Sequence, residues 1–415
     1  MNLNPKEPNM AGTMKNGTAE DVHICGAQDS QSGPGQIVLV FQGGGALGAY
    51  QAGVYKALHE AGLEPDWIIG TSIGAINAGL IAGNAPENRL AALDAFWSRV
   101  EHKSSWHTWL PSMQMAQSLS FMNTVVNGLP GFFAPNYQAF MGGHFPMNAE
   151  EAGYYSTAQL EATLTEFIDF KLMNANKPRL TVGAAHVCSS KMRYFDSREM
   201  PLTVKHILAS GALPPAFPPV RIDGELYWDS GILSNTPAEA VFDDTDRKSS
   251  LIFAVHLWNP NGQEPRTMLE VADRQKDVQY SSRVASHISR QLETHRLRHA
   301  IGELIARMPE NLRQSEDVRA LAGHGCLTRM HVVRLMSPRL DHEDQTKDVD
   351  FSPTGIARRR QEGYASARAA IEAAPWQHEF DKLEGVVLHE AGPDGWPGRG
   401  KGTASNGIRA SPQTP

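Results

Sequence analysis

The chain has 415 residues, of which 41% are hydrophobic and 20% charged, so it can bury a large core in one or two domains. Its formal net charge of −7 leaves no basic surplus, which argues against nucleic acid as a partner. The three cysteines, Cys25, Cys188 and Cys326, are odd in number, far apart and without Cys-x-x-Cys spacing. They indicate neither a disulfide framework nor a zinc site, and they fit a reducing compartment.

The two ends of the chain differ in composition from the middle. Residues 1–35 are polar and rich in Asn, Gly, Ser and Gln, which predicts disorder rather than a secretory signal. Gly, Pro and Ser return over 391–415, where we expect a disordered tail. No apolar stretch approaches the roughly twenty residues of a membrane-spanning helix. We therefore expect a cytoplasmic protein, with peripheral contact at a membrane or lipid surface as a further option.

The first predicted strand leads into a glycine loop. Residues 36–41 (QIVLVF) form a continuous β-branched and aromatic run, typical of a strand buried on both faces of a mostly parallel sheet. Gly43, Gly44, Gly45 and Gly48 follow, and then a helical pattern over 52–60. Such a loop exposes backbone N–H groups at a helix N-terminus, which suits an anionic oxygen.

Two chemistries could use this loop. Gly43-x-Gly45-x-x-Gly48 matches the dinucleotide fingerprint, which would make the protein an oxidoreductase. That fold needs a ribose-binding carboxylate at the far end of the second strand, yet Asp66 precedes the strand. We therefore favour an oxyanion hole at Gly43, Gly44 and Gly45, with N–H groups near the last two facing an acyl oxyanion.

The second predicted strand ends in a candidate nucleophile. The apolar run 67–69 continues into Gly70-Thr71-Ser72-Ile73-Gly74 and then into small, helix-compatible residues. This order of strand, sharp turn and helix is a nucleophile elbow, with Ser72 at its tip. Gly70 and Gly74 are expected because a Cβ on either side of the turn would clash with the neighbouring strand or helix.

An insertion with loop-like punctuation is predicted over 104–146. It concentrates Met and aromatic side chains among Gly, Pro, Ser and Asn, which are Trp106, Trp109, Met113, Met115, Phe121, Met122, Phe132, Phe133, Phe140, Met141 and Phe145. Adaptable apolar side chains suit an acyl-chain pocket or a lid that touches lipid. A small satellite core under long loops is the alternative interpretation.

A later hairpin carries a candidate base. Residues 222–228 predict two short strands around Asp223-Gly224, and the second strand delivers Asp229 at its end, before Ser230-Gly231. His186, inside a strand pattern, is more consistent with a core or edge histidine. His256, at the end of the strand predicted over 251–257, follows Ser72 and Asp229 in the order of a hydrolase triad, so a triad is kept as an alternative.

Together these motifs resemble the patatin-like phospholipase family, bacterial type, with a C-terminal extension. The resemblance rests on Gly43 to Gly48, Gly70 to Gly74 and Asp229-Ser230-Gly231 in this order. It implies an α/β fold, a three-layer α/β/α sandwich with a mostly parallel central sheet. It also implies hydrolysis of acyl esters by a Ser72–Asp229 dyad without a catalytic histidine.

The chain departs from the family pattern at two positions. Leu47 stands where many members have Lys or Arg, which alters the charge expected near the oxyanion site. Ser230 stands where Gly or Ala follows the Asp, which affects the expected turn after Asp229.

The sequence thus predicts a hydrolase domain over 36–257 and a mostly helical extension over 258–390. The expected substrate is a lipid or other acyl ester, and the scheme requires no metal and no cofactor. The sequence does not fix the oligomeric state, the lipid headgroup or the chain length. A catalytically silent lipid-binding protein with the same fold is a further alternative.

Overall fold

A computed structural model describes residues 24–26, 35–102, 122–142, 144, 146–340, 343–381, 383–392 and 395–396, and of 282–288 the backbone only. The predicted disordered ends lie outside these residues, apart from 24–26, 35, 391–392 and 395–396. The part of the insertion that holds Trp106, Trp109, Met113, Met115 and Phe121 also lies outside them, as does Phe145.

A nine-stranded, mostly parallel sheet forms the centre of the protein. Its strands are β1 (Gln36–Phe41), β2 (Trp67–Gly70), β5 (Arg179–His186), β6 (Met192–Asp196), β7 (Val220–Ile222), β8 (Glu225–Asp229), β9 (Ser250–His256), β10 (Met330–Met336) and β11 (Val386–His389). The strand order is β11-β10-β9-β1-β2-β5-β8-β7, with β6 also paired to β5. From β11 to β5 every pairing is parallel. Two short strands, β3 (Ala134–Pro135) and β4 (Tyr155–Ser156), form a separate antiparallel pair.

Helices cover both faces of this sheet. They are α1 (Ala49–Glu60), α2 (Ile73–Ala82), α3 (Arg89–Arg99), α4 (122–127), α5 (Ala158–Phe167), α6 (Phe170–Met173), α7 (Val204–Ser210), α8 (Glu239–Phe242), α9 (Met268–Ala306), α10 (Glu310–Arg313), α11 (Glu316–Ala322) and α12 (Pro353–Ala373). Within the described ranges, no helix combines the length and the apolar character needed to cross a bilayer.

The side chains of β1 show why the fold has three layers. Successive residues of a strand point to opposite faces of a sheet. Leu39 and Phe41 accordingly join a large core with α1, α2 and α12, whereas Val38 and Val40 join a second core with α8 and α9. Both faces of the sheet are therefore buried, which confirms the predicted α/β/α sandwich with a mostly parallel sheet.

The sheet continues past residue 257, the predicted boundary between domain and extension. β10 pairs in parallel with β9, and β11 pairs with β10. Helix α12 lies directly on α1. The two backbones are so close that a Cβ at Gly53 would stand 1.9 Å from the carbonyl oxygen of Arg360, and one at Gly363 would stand 2.0 Å from that of Tyr50. Backbone contacts this close are open only to glycine. The C-terminal region thus shares both the sheet and the larger core.

Strands β2 and β8 end face to face beside β5. β5 pairs with β2 at its beginning and with β8 at its end, while β6 occupies its other side along 181–185. β2 and β8 therefore lie on the same side of β5, and they run in opposite directions because β2 is parallel to β5 and β8 antiparallel. Their C-terminal ends meet, so the residues that follow Gly70 lie beside Asp229, the last residue of β8.

Candidate active site

Ser72 occupies a strained turn between β2 and α2. Its φ of 56° and ψ of −124° are a conformation that side-chain-bearing residues rarely adopt. A Cβ at Gly70 would lie 2.5 Å from the carbonyl oxygen of Gly74, and one at Gly74 would lie 2.5 Å from that of Phe41. The predicted steric need for glycine at both positions is confirmed. The N–H of Ser72 donates to Oγ of Ser210 at 3.0 Å, which fixes the turn against the end of α7.

Asp229 ends β8 and is 2% exposed. Its carboxylate accepts a hydrogen bond from the N–H of Gly231 at 2.7 Å, and it lies near enough to the Ser72 side chain for that hydroxyl to lower its pKa. Burial raises the pKa of Asp229 to about 7, because the loss of hydration outweighs the opposite effects of Ser72 and Gly231. A carboxylate with such a pKa can exchange a proton with the serine it touches near neutral pH.

The three successive glycines line the wall beside Ser72, but they are not equivalent. The N–H of Gly43 donates to the carbonyl of Asn235 at 3.3 Å, so it is already engaged. Within the described part of the chain, no acceptor takes the N–H of Gly44 or of Gly45. Gly45 has a φ of +55°, and a Cβ there would stand 2.2 Å from the carbonyl oxygen of Asp348. Gly48 lies further on, where a Cβ would stand 2.5 Å from the side chain of Ile73.

Asn235 is a site residue that the sequence interpretation missed. Its side-chain amide donates to the backbone carbonyl of Gly43 at 3.1 Å, while its backbone carbonyl accepts from the N–H of Gly43. A Cβ at Gly231 would stand 3.0 Å from the side-chain oxygens of both Asp229 and Asn235. Asn235 therefore holds the glycine loop and the Asp229 turn together, and an isolated Asn in a loop carries no sequence signal for this role.

An apolar cavity of about 250 Å³ opens in front of Ser72 and Asp229. The insertion contributes Phe132 and Phe133, as one of its two interpretations predicts. The region after residue 257 also contributes side chains, although no sequence motif indicates that they line a site. The remaining apolar lining comes from several elements, namely Ile73, Ile76, Val125, Tyr155, Leu160, Leu213, Ala216, Phe217, Trp258, Tyr280, Val349 and Phe351.

The two departures from the family pattern are both buried. Leu47 is 2% exposed and packs into the larger core, so this position adds no charge at the glycine loop. Ser230 is also buried, and its hydroxyl donates to Oγ1 of Thr71 at 3.2 Å. The side chain at 230 therefore links the Asp229 turn to the Ser72 turn.

The two histidines lie away from this cavity. His186 ends β5 and contacts Ser189 and Glu225, at 2.8 and 3.0 Å. His256 is buried at the end of β9, where its Nε2 has no partner among the described residues. Burial, with a smaller effect from Arg334, lowers the pKa of His256 to about 3. Neither histidine lines the cavity that contains Ser72.

Asp66 bears on the dinucleotide alternative. Its side chain accepts the N–H of Ile37 at 2.8 Å, at the beginning of β1 and β2. The acid is thus at the opposite end of the strands from the glycine loop, as the sequence order indicates. Among the described residues, no group of three or more His, Cys, Asp or Glu side chains gathers as ligands for a metal ion.

Two family models match the chain. One, described as patatin-like phospholipase, covers residues 39–242, and another, described as patatin phospholipase, covers 278–383. Mouse patatin-like phospholipase domain-containing protein 7 is 30% identical over 206 residues, which are 49% of this chain and 12% of that protein. Human patatin-like phospholipase domain-containing protein 6 is 28% identical over 203 residues, which are again 49% of this chain and 12% of that protein. Lysophospholipase nte1 of Aspergillus terreus is 60% identical over 49 residues, which are 12% of this chain and 3% of that one.

Among solved structures, VipD from Legionella pneumophila is similar over 92% of this chain and 77% of that chain, with 14% identity and a TM-score of 0.37. The chain spans about an eighth of the length of the mouse and human relatives that it matches.

Proposed function

The chain belongs to the patatin-like phospholipase family, and on this premise we propose that it is a lipid acyl hydrolase of the lipase or phospholipase A type. The observation that carries the proposal is the placement of Ser72, at the tip of a strained turn, beside the buried Asp229, with both residues lining one apolar cavity. Attack of Ser72 on an ester, with Asp229 as the base, is a scheme that uses no cofactor.

In the proposed reaction, Oγ of Ser72 attacks the ester carbonyl while Asp229 accepts its proton. The protonated Asp229 then gives this proton to the leaving alcohol oxygen, which leaves the acyl group on Ser72. A water molecule, deprotonated by Asp229, then attacks the acyl-serine, and Asp229 returns the proton to Oγ of Ser72 as the fatty acid is released. The raised pKa of Asp229 supports this scheme, because it makes the carboxylate a stronger base than an exposed aspartate.

We assign the oxyanion hole to the N–H groups of Gly44 and Gly45, with Gly43 as its support. Both N–H groups belong to residues that line the cavity beside Ser72 and donate to no acceptor in the described residues. The bonds between Gly43 and Asn235 hold the loop in place before substrate binds. Donors that are fixed in advance stabilise the charge of the tetrahedral intermediate without reorganising during the reaction.

The acyl chain would lie among the aromatic side chains of the cavity. Phe132, Phe133 and Phe217 contact one another with ring centroids 5.5 to 6.4 Å apart. An apolar wall of this kind favours burial of a hydrocarbon chain and offers no polar partner to it.

We further propose that the protein meets its substrate at a lipid surface through the segment 122–154. This segment exposes seven large apolar side chains, Met122, Val125, Val126, Tyr137, Phe140, Met141 and Tyr154. The ring of Phe140 contacts Tyr155, which in turn contacts Phe133 in the cavity. The exposed apolar surface is thus continuous with the cavity, as a route for a lipid would require.

The test of the nucleophile uses a fluorophosphonate and the intact protein. We expect the reagent to label Ser72, the serine of the chain's one Gly-x-Ser-x-Gly sequence, and not to label heat-unfolded protein. Ser72→Ala should remove both labelling and turnover of a chromogenic ester while leaving the circular dichroism spectrum unchanged. Labelling at another serine would overturn the assignment.

The triad alternative is separated by replacing each candidate base. Asp229→Asn keeps the shape of the side chain and removes its basicity, so turnover should fall on the order of a thousandfold or more. His256→Ala and His186→Ala should keep most of the activity per folded molecule. An active Asp229→Asn variant together with an inactive, folded His256→Ala variant would favour a histidine triad. Titration with a nicotinamide dinucleotide, which we expect to show no binding, tests the oxidoreductase alternative.

A further inference from the structure

Two of the three cysteines meet in the folded chain, contrary to the expectation from their spacing. Sγ of Cys25 and Sγ of Cys326 are 3.1 Å apart although 301 positions separate them in sequence. Their backbones form a parallel bridge, and the N–H of Leu327 donates to the carbonyl of Cys25 at 2.7 Å. Ile24 packs with Ile305 and Ala322 beside them. Backbone pairing and apolar packing therefore both hold the two thiols together.

The surroundings of the pair favour a thiolate on Cys326. Cys326 is fully buried, and its sulfur lies 3.1 Å from Oγ1 of Thr328. The hydrogen bond between the two thiols lowers the pKa of Cys326 and, together with burial, raises that of Cys25. Thr328 and Arg247 also lower the pKa of Cys326. Burial opposes them, yet the net direction is downward. A thiolate is the form of cysteine that attacks disulfides.

Only one of the two sulfurs is open to a reagent. Cys25 is half-buried, whereas Cys326 is fully buried. An external disulfide would thus reach Cys25 first, and Cys326 would be placed to complete the exchange.

We propose that Cys25 and Cys326 form a redox-active dithiol, which a small-molecule disulfide of the glutathione class oxidises to an intramolecular disulfide. In the first step, the thiol of Cys25 loses its proton, and its sulfur attacks one sulfur of glutathione disulfide, forms a mixed disulfide and releases one glutathione thiolate. In the second step, the thiolate of Cys326 attacks Sγ of Cys25 and displaces the second glutathione. The two protein sulfurs lose two electrons, two glutathione thiols form, and the two protons of the protein thiols end on them or in water.

The bond would close a covalent loop around most of the fold. The loop runs from Cys25 to Cys326 and contains β1 to β9, so it includes Ser72 and Asp229. In a reducing compartment the pair stays a dithiol, and under oxidising conditions the segment before β1 becomes tied to the segment before β10.

The experiment compares full-length protein with and without glutathione disulfide, followed by alkylation of free thiols and peptide mass spectrometry without reduction. We expect a linked pair of peptides that contain Cys25 and Cys326, while exposed Cys188 forms a mixed disulfide at most. The midpoint of thermal unfolding should rise on oxidation and return on reduction. Linkage through Cys188, or glutathione that stays on Cys25 without linkage, would overturn the proposal, as would three thiols that all remain free.

Three variants make the outcome decisive. Cys188→Ser is the matched control and should form the same bond with the same shift in unfolding midpoint. Cys326→Ser should stop at one glutathione on Cys25, because the second sulfur is missing. If that variant does not fold, Cys25→Ser serves instead, and it should show no glutathione on buried Cys326 and no change in midpoint on oxidation. Each result is read out without measuring hydrolysis.

Discussion

The side-chain amide of Asn235 donates a 3.1 Å hydrogen bond to the carbonyl of Gly43, and the N–H of Gly43 donates back to the carbonyl of Asn235. The loop after β8 and the loop after β1 are thus tied together by a reciprocal pair of bonds. Among the described residues, no hydrogen bond joins Asn235 to Ser72 or to Asp229, so we assign it as a positioning residue for the glycine loop.

Replacing Asn235 by Ala should lower kcat by about ten- to a hundredfold, since a loop that loses an anchoring hydrogen bond no longer holds its N–H donors in place. The KM for a short ester should change little. The matched control is Asn84→Ala, because Asn84 also makes two hydrogen bonds to backbone carbonyls, at 2.9 and 2.8 Å, far from the cavity. It should lower the unfolding midpoint without lowering kcat. Equal effects of both variants on kcat would remove the positioning role.

The rate should follow the ionisation of Asp229. Only the carboxylate accepts a proton from Ser72, and burial raises the pKa of Asp229 to about 7. We therefore expect kcat/KM for a neutral, non-ionising ester to rise with pH and to level off above about pH 7. A profile that is already flat from pH 5 to pH 8 would show that Asp229 is not the titrating base.

Asp229 should also make the fold less stable at higher pH. Its pKa rises on folding from 3.8 to about 7, so the folded protein binds this proton more tightly than the unfolded chain. Stability is then lost as pH increases between these values, with a cost of roughly 4 kcal/mol present in full above pH 7. Asp229→Asn cannot ionise. The difference in unfolding midpoint, variant minus original protein, should therefore increase from pH 5 to pH 8. A difference that stays constant over this range would contradict the prediction.

Phe132 and Phe133 should matter more for long acyl chains than for short ones. If they line the acyl site, changing both to Ala removes contacts that only a long chain makes, and kcat/KM should fall more for a long-chain ester. Phe242→Ala is the control, because Phe242 is also buried but lies in the core on the other face of the sheet. It should affect stability and leave the ratio of long-chain to short-chain activity unchanged. Equal losses on both esters would assign Phe132 and Phe133 to packing alone.

Binding to lipid should depend on Phe140 and Met141, which are 56% and 76% exposed. Changing both to Ser removes apolar surface that would enter a bilayer interface, so partitioning onto phosphatidylcholine vesicles should weaken by about tenfold or more. Leu312→Ser is the control, because Leu312 is 51% exposed on the short helix α10. Sedimentation of the protein with vesicles measures the effect. Equal binding by all three proteins would mean that the segment does not contact lipid.

The Ser72 turn could be predicted because its determinants are local. Gly70, Ser72 and Gly74 lie within five residues, and the strand before them and the helix after them have clear patterns. The hairpin at Asp223-Gly224 is equally local, and both residues adopt the positive φ angles that a tight turn requires. Helical pattern is local as well: the region 258–390 is predicted to be mostly helical, and it contains the long helix α9.

Pairing between distant segments could not be predicted in the same way. Nothing in the residues of β8 says that it runs antiparallel to β5 and ends opposite β2, because that arrangement depends on contacts far apart in sequence. For the same reason, Tyr280 from α9 and Phe351 before α12 could not be placed in the cavity, nor Cys25 beside Cys326. β11 is not predicted, because four residues just before a Gly- and Pro-rich tail are too few to show a period.

The parallel pairing of β9 with β10 has a consequence for anyone who wishes to produce a smaller protein. All seven residues of β9 are buried, and β10 covers its outer edge. A chain that stopped at residue 257 would leave β9 as an open, apolar edge strand, and it would also remove α12 from the face of α1. Unprotected edges of this kind pair with other copies of the chain. We expect such a shortened protein to aggregate rather than to behave as an independent catalytic unit.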